Sequence, residues 1–270
     1  MKNILITGEN SYIGKSFVQY ANNKYNTQSI SLRDESWKAL EFSAFHTILH
    51  CAGIAHIPQK KHMRGLYFAI NCDLAVSVAE KAKAAGVRQL IFLSSMSVHE
   101  PHSPYGASKL AAEQKLQSLA SDSFNICILR PPMVYGPGCK GNFPRLVKLA
   151  SALPIFPNIK NARSMIYVDN LCEFICQAIA QNKTGIHNPQ NTEYVNTTEL
   201  VTLIAKLHGK RMRTTRLFNP IIKLLQKIIA PLDKLFGSLT CPKSGNEADY
   251  NVVNFEDSVN YAIQIKNHER

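Results

Sequence analysis

A serine, a tyrosine and a lysine in the middle of the chain have the types and spacing of a proton-transfer group. Tyr105 and Lys109 lie four positions apart, so on a helix their side chains would share one face. At roughly 4–6 Å and an effective dielectric constant near 20, an ammonium group stabilises a phenolate by about 3–4 kcal/mol. This attraction would lower the pKa of Tyr105 by about two units, toward the value of a general base. Ser95, at the end of an apolar run, could hydrogen-bond the same substrate oxygen.

The second candidate site is a glycine-containing loop near the N-terminus. It follows the apolar run Lys2–Thr7 and opens directly into Tyr12–Tyr20, whose apolar residues have helical spacing. Glycine permits a sharp turn, and a helix N-terminus offers free N–H groups to a pyrophosphate. The sequence therefore predicts a dinucleotide-binding loop, with Gly8, Ser11, Tyr12, Ile13 and Gly14 as its candidate contacts.

Short apolar runs alternate with longer segments of helical periodicity through the first half of the chain. This alternation is typical of parallel strands connected by helices, and it predicts an α/β fold with a doubly wound parallel sheet. The predicted strands are Lys2–Thr7, Gln28–Leu32, Thr47–Cys51, Gln89–Leu93 and Ile126–Leu129. The predicted helices are Tyr12–Tyr20, Leu66–Ala85 and Tyr105–Leu119.

The character of the sequence changes near residue 130. Six prolines between residues 131 and 157 break the chain into short pieces, and helical periodicity returns at Val168–Gln181 and Thr198–His208. We therefore predict a Rossmann-type dinucleotide-binding domain over residues 1–135, to which residues 160–185 return. Residues 136–270 are predicted to form a smaller C-terminal substrate-binding region.

The composition excludes several classes of protein. A hydrophobic fraction of 45% over 270 residues is too high for a disordered chain. No apolar run approaches the roughly 20 residues of a membrane-spanning helix, and the first run is too short for a signal peptide. Seven cysteines without a C-x-x-C pair fit a reducing compartment. We therefore predict a cytoplasmic protein.

The formal net charge of +12 raises the question of an anionic partner. Nucleic acid, an anionic membrane surface and a small phosphorylated ligand would each account for it. The chain has no recognised nucleic-acid-binding motif, so we predict no nucleic-acid partner. His46, His50, His56 and His62 lack the spacing of metal ligands, and we predict no metal site.

The segment 217–236 has apolar residues every three to four positions, interspersed with lysines, which predicts an amphipathic helix pair split at Pro231. Two interpretations stay open. The segment contacts an anionic membrane surface peripherally, or it covers the substrate site or meets another subunit.

Together these motifs resemble the extended short-chain dehydrogenases/reductases, in their NAD-dependent nucleotide-sugar epimerase/dehydratase group. The resemblance extends over nearly the whole chain. Besides the glycine loop and the Tyr105/Lys109 pair, it rests on four further stretches or positions: His50-Cys51-Ala52-Gly53-Ile54, Asn71, Leu129–Gly138 and Arg163–Leu171. Several stretches are most similar to epimerase-like proteins of bacterial capsule and O-antigen synthesis.

The resemblance implies hydride transfer at a sugar carbon. Tyr105 would take the proton of a sugar hydroxyl, Ser95 would steady the developing ketone, and Lys109 would hold the cofactor ribose. The implied cofactor is NAD, bound also by Cys51, Ala52, Gly53, Asn71 and Pro132. Ser95, Met133 and Arg163 are the implied substrate contacts.

The expected reaction is transient oxidation at C4 of a UDP-linked hexose or N-acetylhexosamine, in the biosynthesis of bacterial surface polysaccharide. A 4,6-dehydratase is disfavoured because Met96 and Ser97 occupy the positions of its acid pair. The family implies a homodimer through the helices around Leu66–Ala85 and Tyr105–Leu119.

Some positions depart from the family pattern and keep alternatives open. Arg33 follows the second strand, where a carboxylate usually binds the ribose, so NADP is an alternative cofactor unless Asp34 or Glu35 takes that role. An NAD(P)H-dependent keto-sugar reductase is then the alternative reaction. Only nine residues separate Ser95 from Tyr105, where relatives carry a longer loop. This short loop favours a second alternative, a catalytically silent dinucleotide-binding regulator.

Overall fold

The computed structural model describes residues 1–55, 61–100, 102–225, 228, 233 and 235–264. The strands are β1 (Asn3–Thr7), β2 (Asn26–Ile30), β3 (Thr47–His50), β4 (Gln89–Leu93), β5 (Asn125–Leu129), β6 (Met133–Tyr135), β7 (Ile155–Pro157), β8 (Met165–Tyr167), β9 (Gly185–His187) and β10 (Arg213–Thr215). The helices are α1 (Tyr12–Tyr20), α2 (Arg64–Phe68), α3 (Leu74–Ala84), α4 (Pro104–Gln117), α5 (Asn142–Ala152), α6 (Val168–Ala180), α7 (Thr197–Leu207), α8 (Asn219–Leu225) and α9 (Phe255–Gln264).

The chain forms two compact units. The first comprises Met1–Pro131 and Leu171–Pro189, and the second comprises Pro132–Asn170 and the described residues from Gln190 onward. The segment that returns to the first unit therefore begins at Leu171, within α6, rather than at residue 160. That the first unit binds the cofactor and the second binds the substrate remains a prediction.

A six-stranded sheet with the order β2-β1-β3-β4-β5-β9 forms the centre of the first unit, and every neighbouring pair is parallel. β3 and β4 are buried along their whole length because helices cover both faces of the sheet. One side of the core joins Ile48, Leu90 and Ile128 to Val78 and Leu116 of the helices. The predicted α/β class and doubly wound parallel sheet are confirmed.

The predicted helix Leu66–Ala85 is interrupted by a turn of π-helix. α2 and α3 are separated by this turn, Ala69–Asp73, in which the hydrogen bonds span one residue more than in an α-helix. Asn71 lies within the turn and is fully buried. The sequence pattern does not reveal the interruption, because a π-turn shifts the apolar periodicity by a single residue.

The second unit consists of short elements. β6 pairs with β8 and β7 pairs with β10, each over three residues. Tyr135 stacks on Phe143 at 5.0 Å between ring centroids, and its hydroxyl hydrogen-bonds Ser258 at 2.6 Å. The predicted split of segment 217–236 at Pro231 lies outside the described residues. None of the helices in the described part of the chain is long and apolar enough to cross a membrane.

Candidate functional site

The sheet of the first unit has a topological switch point beside β1. The chain leaves β1 for β2 on one side and then crosses to β3 on the other, and the crevice at the carboxyl ends of such strands is a common ligand site. The loops after β1 and β3 approach closely there. Gly8 has φ +91°, and a Cβ at this residue would lie 2.8 Å from the backbone N and Cα of Ala52. Only glycine fits this position.

α1 begins at the same crevice. Ser11 caps the helix, since its hydroxyl accepts a hydrogen bond from Gly14 N at 3.4 Å and its own N–H donates to Gly8 O at 2.8 Å. Gly14 lets the helix pack on β1, because a Cβ there would be 3.2 Å from the side chain of Ile6. The first-turn amides, those of Tyr12 and Ile13 among them, make no intrahelical bonds and suit a pyrophosphate.

The loop after β3 is fixed by one buried side chain, that of Asn71. Its Oδ1 accepts from Ile54 N at 2.8 Å, and its Nδ2 donates to Ile54 O at 3.0 Å and to Ser108 Oγ at 3.1 Å. A Cβ on Gly53 would lie 2.9 Å from the Asn71 Oδ1. Asn71 thus ties the loop holding Cys51, Ala52 and Gly53 to helix α4. The crevice between the Gly8 and Gly53 loops fits a dinucleotide, because the glycines leave room for its pyrophosphate at the start of α1.

The short connection between β4 and α4 places Ser95 beside Tyr105. Ser95 caps a 3₁₀ helix, Met96–His99, by accepting from Ser97 N at 3.1 Å, and Ser103 caps α4. A Cβ at Gly106 would overlap the carbonyl oxygen of Ser97, so glycine is required for α4 to start this close. The Ser95 hydroxyl lies close enough to the Tyr105 phenol to lower its pKa. The nine-residue loop therefore assembles the predicted pair.

The pKa of Tyr105 is raised, not lowered as the sequence predicts. Burial of the phenol is the main cause, and the nearby Tyr67 adds to it, whereas the hydrogen bond with Ser95 acts in the opposite direction. The expected lowering depends on an ammonium beside the phenol. Lys109 lies on the same helix as Tyr105, but its ammonium is bound by the carbonyl oxygen of Leu93.

The ammonium of Lys109 is bound at the end of β4. Its Nζ donates to Leu93 O at 2.7 Å and lies 4.5 Å from the centroid of the Phe92 ring. Burial lowers the pKa of Lys109 to about 8, while Cys51 and Glu113 favour its charged form. A Cβ on Gly53 would lie 3.4 Å from Nζ, so the ammonium borders the cofactor loop. The position of the Lys109 ammonium therefore fits the expected contact with the cofactor ribose better than it fits a role in lowering the pKa of Tyr105.

His50 and Cys51, at the end of β3, are uncharged neighbours of Lys109. The His50 Nδ1 and Thr7 Oγ1 are hydrogen-bonded at 2.9 Å, and burial lowers the pKa of the imidazole to about 3. Its Nε2 is buried without a hydrogen-bond partner in the described part of the chain. Burial raises the pKa of the Cys51 thiol to about 12, while Lys109 and Ser11 act in the opposite direction. Both groups are neutral near pH 7.

A buried ion pair behind the Ser95–Tyr105 contact escapes the sequence reasoning. Arg130 Nε lies 3.0 and 3.1 Å from the two carboxylate oxygens of Glu113, which also accepts a hydrogen bond from the Ser94 hydroxyl. The pair joins α4 to the ends of β4 and β5. One signal could have found it: Glu113 follows Lys109 by four residues, as Lys109 follows Tyr105, so all three share a helix face.

Replacing Glu113 with glutamine should destabilise the first unit. The substitution keeps the shape but removes charge-assisted hydrogen bonds to Arg130, which contribute about 1.5–3 kcal/mol when buried. Urea denaturation of Glu113→Gln would measure the loss in the free energy of unfolding. Glu80→Gln makes the same chemical change at an exposed position of α3 and should shift it by less than about 0.5 kcal/mol. Equal stability of the two variants would contradict a structural role for the pair.

The residues after β2 lie beside the glycine loop. β2 ends at Ile30, two residues earlier than predicted, and its carbonyl accepts from Gly8 N at 2.9 Å. The carboxylate of Asp34 accepts hydrogen bonds from the N–H and hydroxyl of Ser36, and Glu35 pairs with Lys38 at 2.5 Å. The Arg33 side chain is exposed. Both carboxylates that could bind a ribose are therefore engaged locally.

Three of the predicted site residues belong to the second unit. Pro132 is buried, and the adjacent Met133 is half-buried in β6, where it pairs with Met165. Arg163 exchanges two backbone hydrogen bonds with Val195, both at 2.9 Å, and its Nη1 donates to Gly237 O at 2.7 Å. Their contacts with cofactor or substrate remain predictions. Within the described ranges, no three His, Cys, Asp or Glu side chains are grouped as a metal site.

Comparison with known sequences gives a consistent result. Residues 4–192 match the profile of the NAD dependent epimerase/dehydratase family. Over 266 aligned residues the chain is 32% identical to a UDP-glucose 4-epimerase of Vibrio cholerae. The alignment covers 87% of this chain and 80% of that protein.

Solved structures share the fold at low sequence identity. The Bordetella bronchiseptica enzyme WbmG in complex with NAD superposes with a TM-score of 0.76 at 18% identity, over 98% of this chain and 94% of the other. A dTDP-4-dehydrorhamnose reductase from Bacillus anthracis in complex with NADP gives a TM-score of 0.71 at 19% identity, over 97% and 98% of the two chains. The shared fold thus serves proteins crystallised with either cofactor.

Proposed function

Since the chain belongs to the NAD dependent epimerase/dehydratase family, we propose that it catalyses the 4-epimerisation of a UDP-linked hexose or N-acetylhexosamine. Its similarity to a UDP-glucose 4-epimerase over most of both chains supports this reaction within the family. The NAD dependence of the family agrees with the crevice formed by the β1 and β3 loops.

The observation that carries the proposal is the placement of the Ser95 hydroxyl, at the end of β4, beside the Tyr105 phenol in the first turn of α4. Two hydroxyls that meet at the end of β4 can both reach one oxygen of a substrate. Tyr105 would accept the proton of the C4 hydroxyl, and Ser95 would donate a hydrogen bond to the C4 oxygen as it becomes a ketone. When the sugar is reduced again, Tyr105 returns the proton.

The cofactor side of the reaction depends on residues around Lys109. When bound, NAD supplies the hydride acceptor and donor at the sugar carbon. Lys109, anchored on Leu93 O at 2.7 Å, would donate to the ribose, and Asn71 would hold the Gly53 loop against it. Gly8, Ser11 and the first turn of α1 would receive the pyrophosphate, with Cys51 and Ala52 opposite them.

The substrate side is assigned to the second unit. Arg163 would meet the diphosphate of the nucleotide sugar and Met133 the sugar, with Pro132 next to the nicotinamide. Met96 and Ser97 supply no carboxyl group beside Ser95. A 4,6-dehydratase needs such an acid, so the proposal excludes elimination of water from the sugar.

A direct experiment is incubation of the purified protein with UDP-glucose and, separately, UDP-N-acetylglucosamine. We expect the 4-epimer to accumulate to equilibrium with NAD in catalytic amount and no net change in absorbance of reduced nicotinamide. Identification of the products by chromatography and NMR would assign the sugar. Failure to epimerise any member of a nucleotide-sugar panel, with cofactor bound, would instead support the silent dinucleotide-binding regulator.

A keto-sugar reductase is the second candidate, and the surroundings of Arg33 favour it. Because Asp34 and Glu35 are engaged by Ser36 and Lys38, the exposed Arg33 is available to a 2′-phosphate, which would select NADP. In this case NADPH would be consumed in proportion to product formed from a 4-keto nucleotide sugar. Mass spectrometry of the nucleotide that co-purifies separates NAD from NADP.

We propose that the enzyme acts in the cytoplasm. None of the seven cysteines, all of which lie in the described part of the chain, forms a disulfide, and six of them are buried, which suits the reducing cytoplasm. We place the reaction in the biosynthesis of bacterial surface polysaccharide. A homodimer through α2, α3 and α4 is expected, and light scattering on the purified protein would measure its mass.

A further inference from the structure

The second unit carries a row of exposed apolar side chains that the proposed reaction does not use. Leu217, Phe218, Ile221, Leu224 and Ile228 are between 47% and 78% exposed, although each is large and apolar. Ile221 and Leu224 lie three residues apart in α8 and so share one side of it, Leu217 and Phe218 directly precede the helix, and Ile228 follows it. We call these five residues the apolar face. A cluster of large exposed apolar side chains marks an interaction surface.

The apolar face is attached to the rest of the second unit at its N-terminal end. β10, which precedes it, pairs in parallel with β7, so Arg213 lies beside Ile155. Asn219 Nδ2 donates to Asn158 O at 2.8 Å. Ile155 and Leu153 are also exposed and extend the apolar surface toward β7.

Basic side chains precede the apolar face in the chain. Lys206, Lys210, Arg211, Arg213 and Arg216 are exposed, and the sequence contains no acidic residue from Lys206 to Leu232. Lys206 is paired with Glu256 at 3.8 Å, and Lys210 donates to Ser151 O at 2.5 Å. In the described ranges Arg211, Arg213 and Arg216 have neither an acidic partner nor a hydrogen-bonded side chain.

We propose that the apolar face docks on the surface of an anionic phospholipid bilayer. Apolar side chains on one side of a helix insert at the boundary between headgroups and acyl chains, and flanking arginines attract anionic headgroups. The three arginines and the apolar face together supply both contributions. The inference goes beyond the proposed reaction and does not depend on it.

A second copy of the chain is a poorer occupant. A two-fold symmetric contact brings the same patch of both subunits together, so both copies of Arg211, Arg213 and Arg216 would lie in one interface. Like charges across an interface oppose association. Nucleic acid would satisfy the arginines but leaves the five large apolar side chains without a partner.

Co-sedimentation of the full chain with vesicles tests the proposal. We expect binding to vesicles that mix phosphatidylcholine with phosphatidylglycerol, weaker binding in high salt, and little binding to phosphatidylcholine alone. Ile221→Asp should abolish binding, and Arg213→Gln or Arg216→Gln should each weaken it about fivefold, as one lost charge near an anionic surface predicts. Val252→Asp changes an exposed apolar residue elsewhere in the second unit and should bind like the parent chain.

Several results would overturn the proposal. One is absence of binding to the anionic vesicles, and another is binding that Ile221→Asp leaves intact while circular dichroism shows a folded chain. A loss of dimer mass in Ile221→Asp would assign the face to a second copy, and a salt-sensitive shift with random duplex DNA in place of vesicle binding would assign it to nucleic acid. Tyr105→Phe should bind vesicles normally, so failure of the proposed reaction and failure of this inference are distinguishable.

Discussion

Replacing Tyr105 with phenylalanine should lower kcat by about 10²–10⁴-fold, the contribution of a positioned general acid–base group. The variant keeps the ring beside Tyr67, at 6.3 Å between centroids, and loses only the hydroxyl that contacts Ser95. Because the change is confined to one oxygen, KM and the affinity for NAD should stay close to those of the parent enzyme. Kinetic assays together with fluorescence titration of the cofactor would measure both.

A matched variant separates this effect from the loss of any buried phenol. Tyr25→Phe removes a hydroxyl that donates to Cys176 O at 3.1 Å, away from the crevice, and should leave kcat within about twofold. A Tyr105→Phe enzyme with the parent kcat would refute the assignment of Tyr105 as the proton acceptor.

The pH dependence of the parent enzyme follows from the same pair of groups. The raised pKa of Tyr105 means that the phenol is protonated at neutral pH, so the rate should rise with pH as the fraction of phenolate increases. Lys109, with a pKa near 8, loses its charge at higher pH and should limit that rise. Among the described residues, the titratable groups that also face these two side chains are Tyr67, His50, Cys51 and Glu113.

The second large effect is expected at Lys109, where activity and stability should move in opposite directions. Lys109→Met removes the donor that we propose contacts the cofactor ribose, and the loss of such a donor costs about 10²–10³-fold in kcat. The buried charge of Lys109 destabilises the folded parent chain. Burial lowers the pKa of Lys109 from 10.5 to about 8, which corresponds to a penalty of about 3 kcal/mol on the charged form. Methionine has a similar length and no charge, so the variant should unfold at a higher urea concentration.

The sign of the pH effect on stability provides a control. Between about pH 8 and 10.5, Lys109 binds a proton in the unfolded chain but not in the folded one. Stability of the parent relative to Lys109→Met should therefore rise with pH in this window and be constant below it. Comparing the two proteins cancels the titration of the groups that do not interact with Lys109. A less stable variant with an unchanged pH dependence would make Lys109 a structural residue.

The sequence predicts a strand or helix well where the spacing of its apolar residues fits only one type of element. β1 and β4 are short and buried, and the apolar runs that predict them are interrupted at once by glycine or serine. α1 is predicted without error because its cap, Ser11, is preceded by a turn and followed by apolar residues at helical spacing. β2 is less exact, since its residues are largely polar and exposed at the sheet edge.

The candidate site is only partly accessible from the sequence, because spacing fixes a helix face but not the course of a long side chain. Tyr105 and Lys109 share α4 as predicted, yet the four-carbon stem of Lys109 carries its ammonium to Leu93 O. The spacing places Glu113 on the same face as Lys109, but its partner Arg130 lies 17 positions away in a different element, and the helix pattern does not identify it. The turn that buries Asn71 likewise depends on tertiary packing against Ser108 and Ile54.

The short connection between β4 and α4 has a consequence for the order of folding. The Ser95–Tyr105 contact closes a loop of nine residues, and contacts of small sequence separation form early because they cost little loop entropy. The bonds from Asn71 to Ile54 and Ser108 span 17 and 37 residues, so the cofactor crevice requires a much larger part of the chain to be in place. The proton-transfer pair is thus expected to assemble as a local unit, on which the nucleotide crevice is completed later.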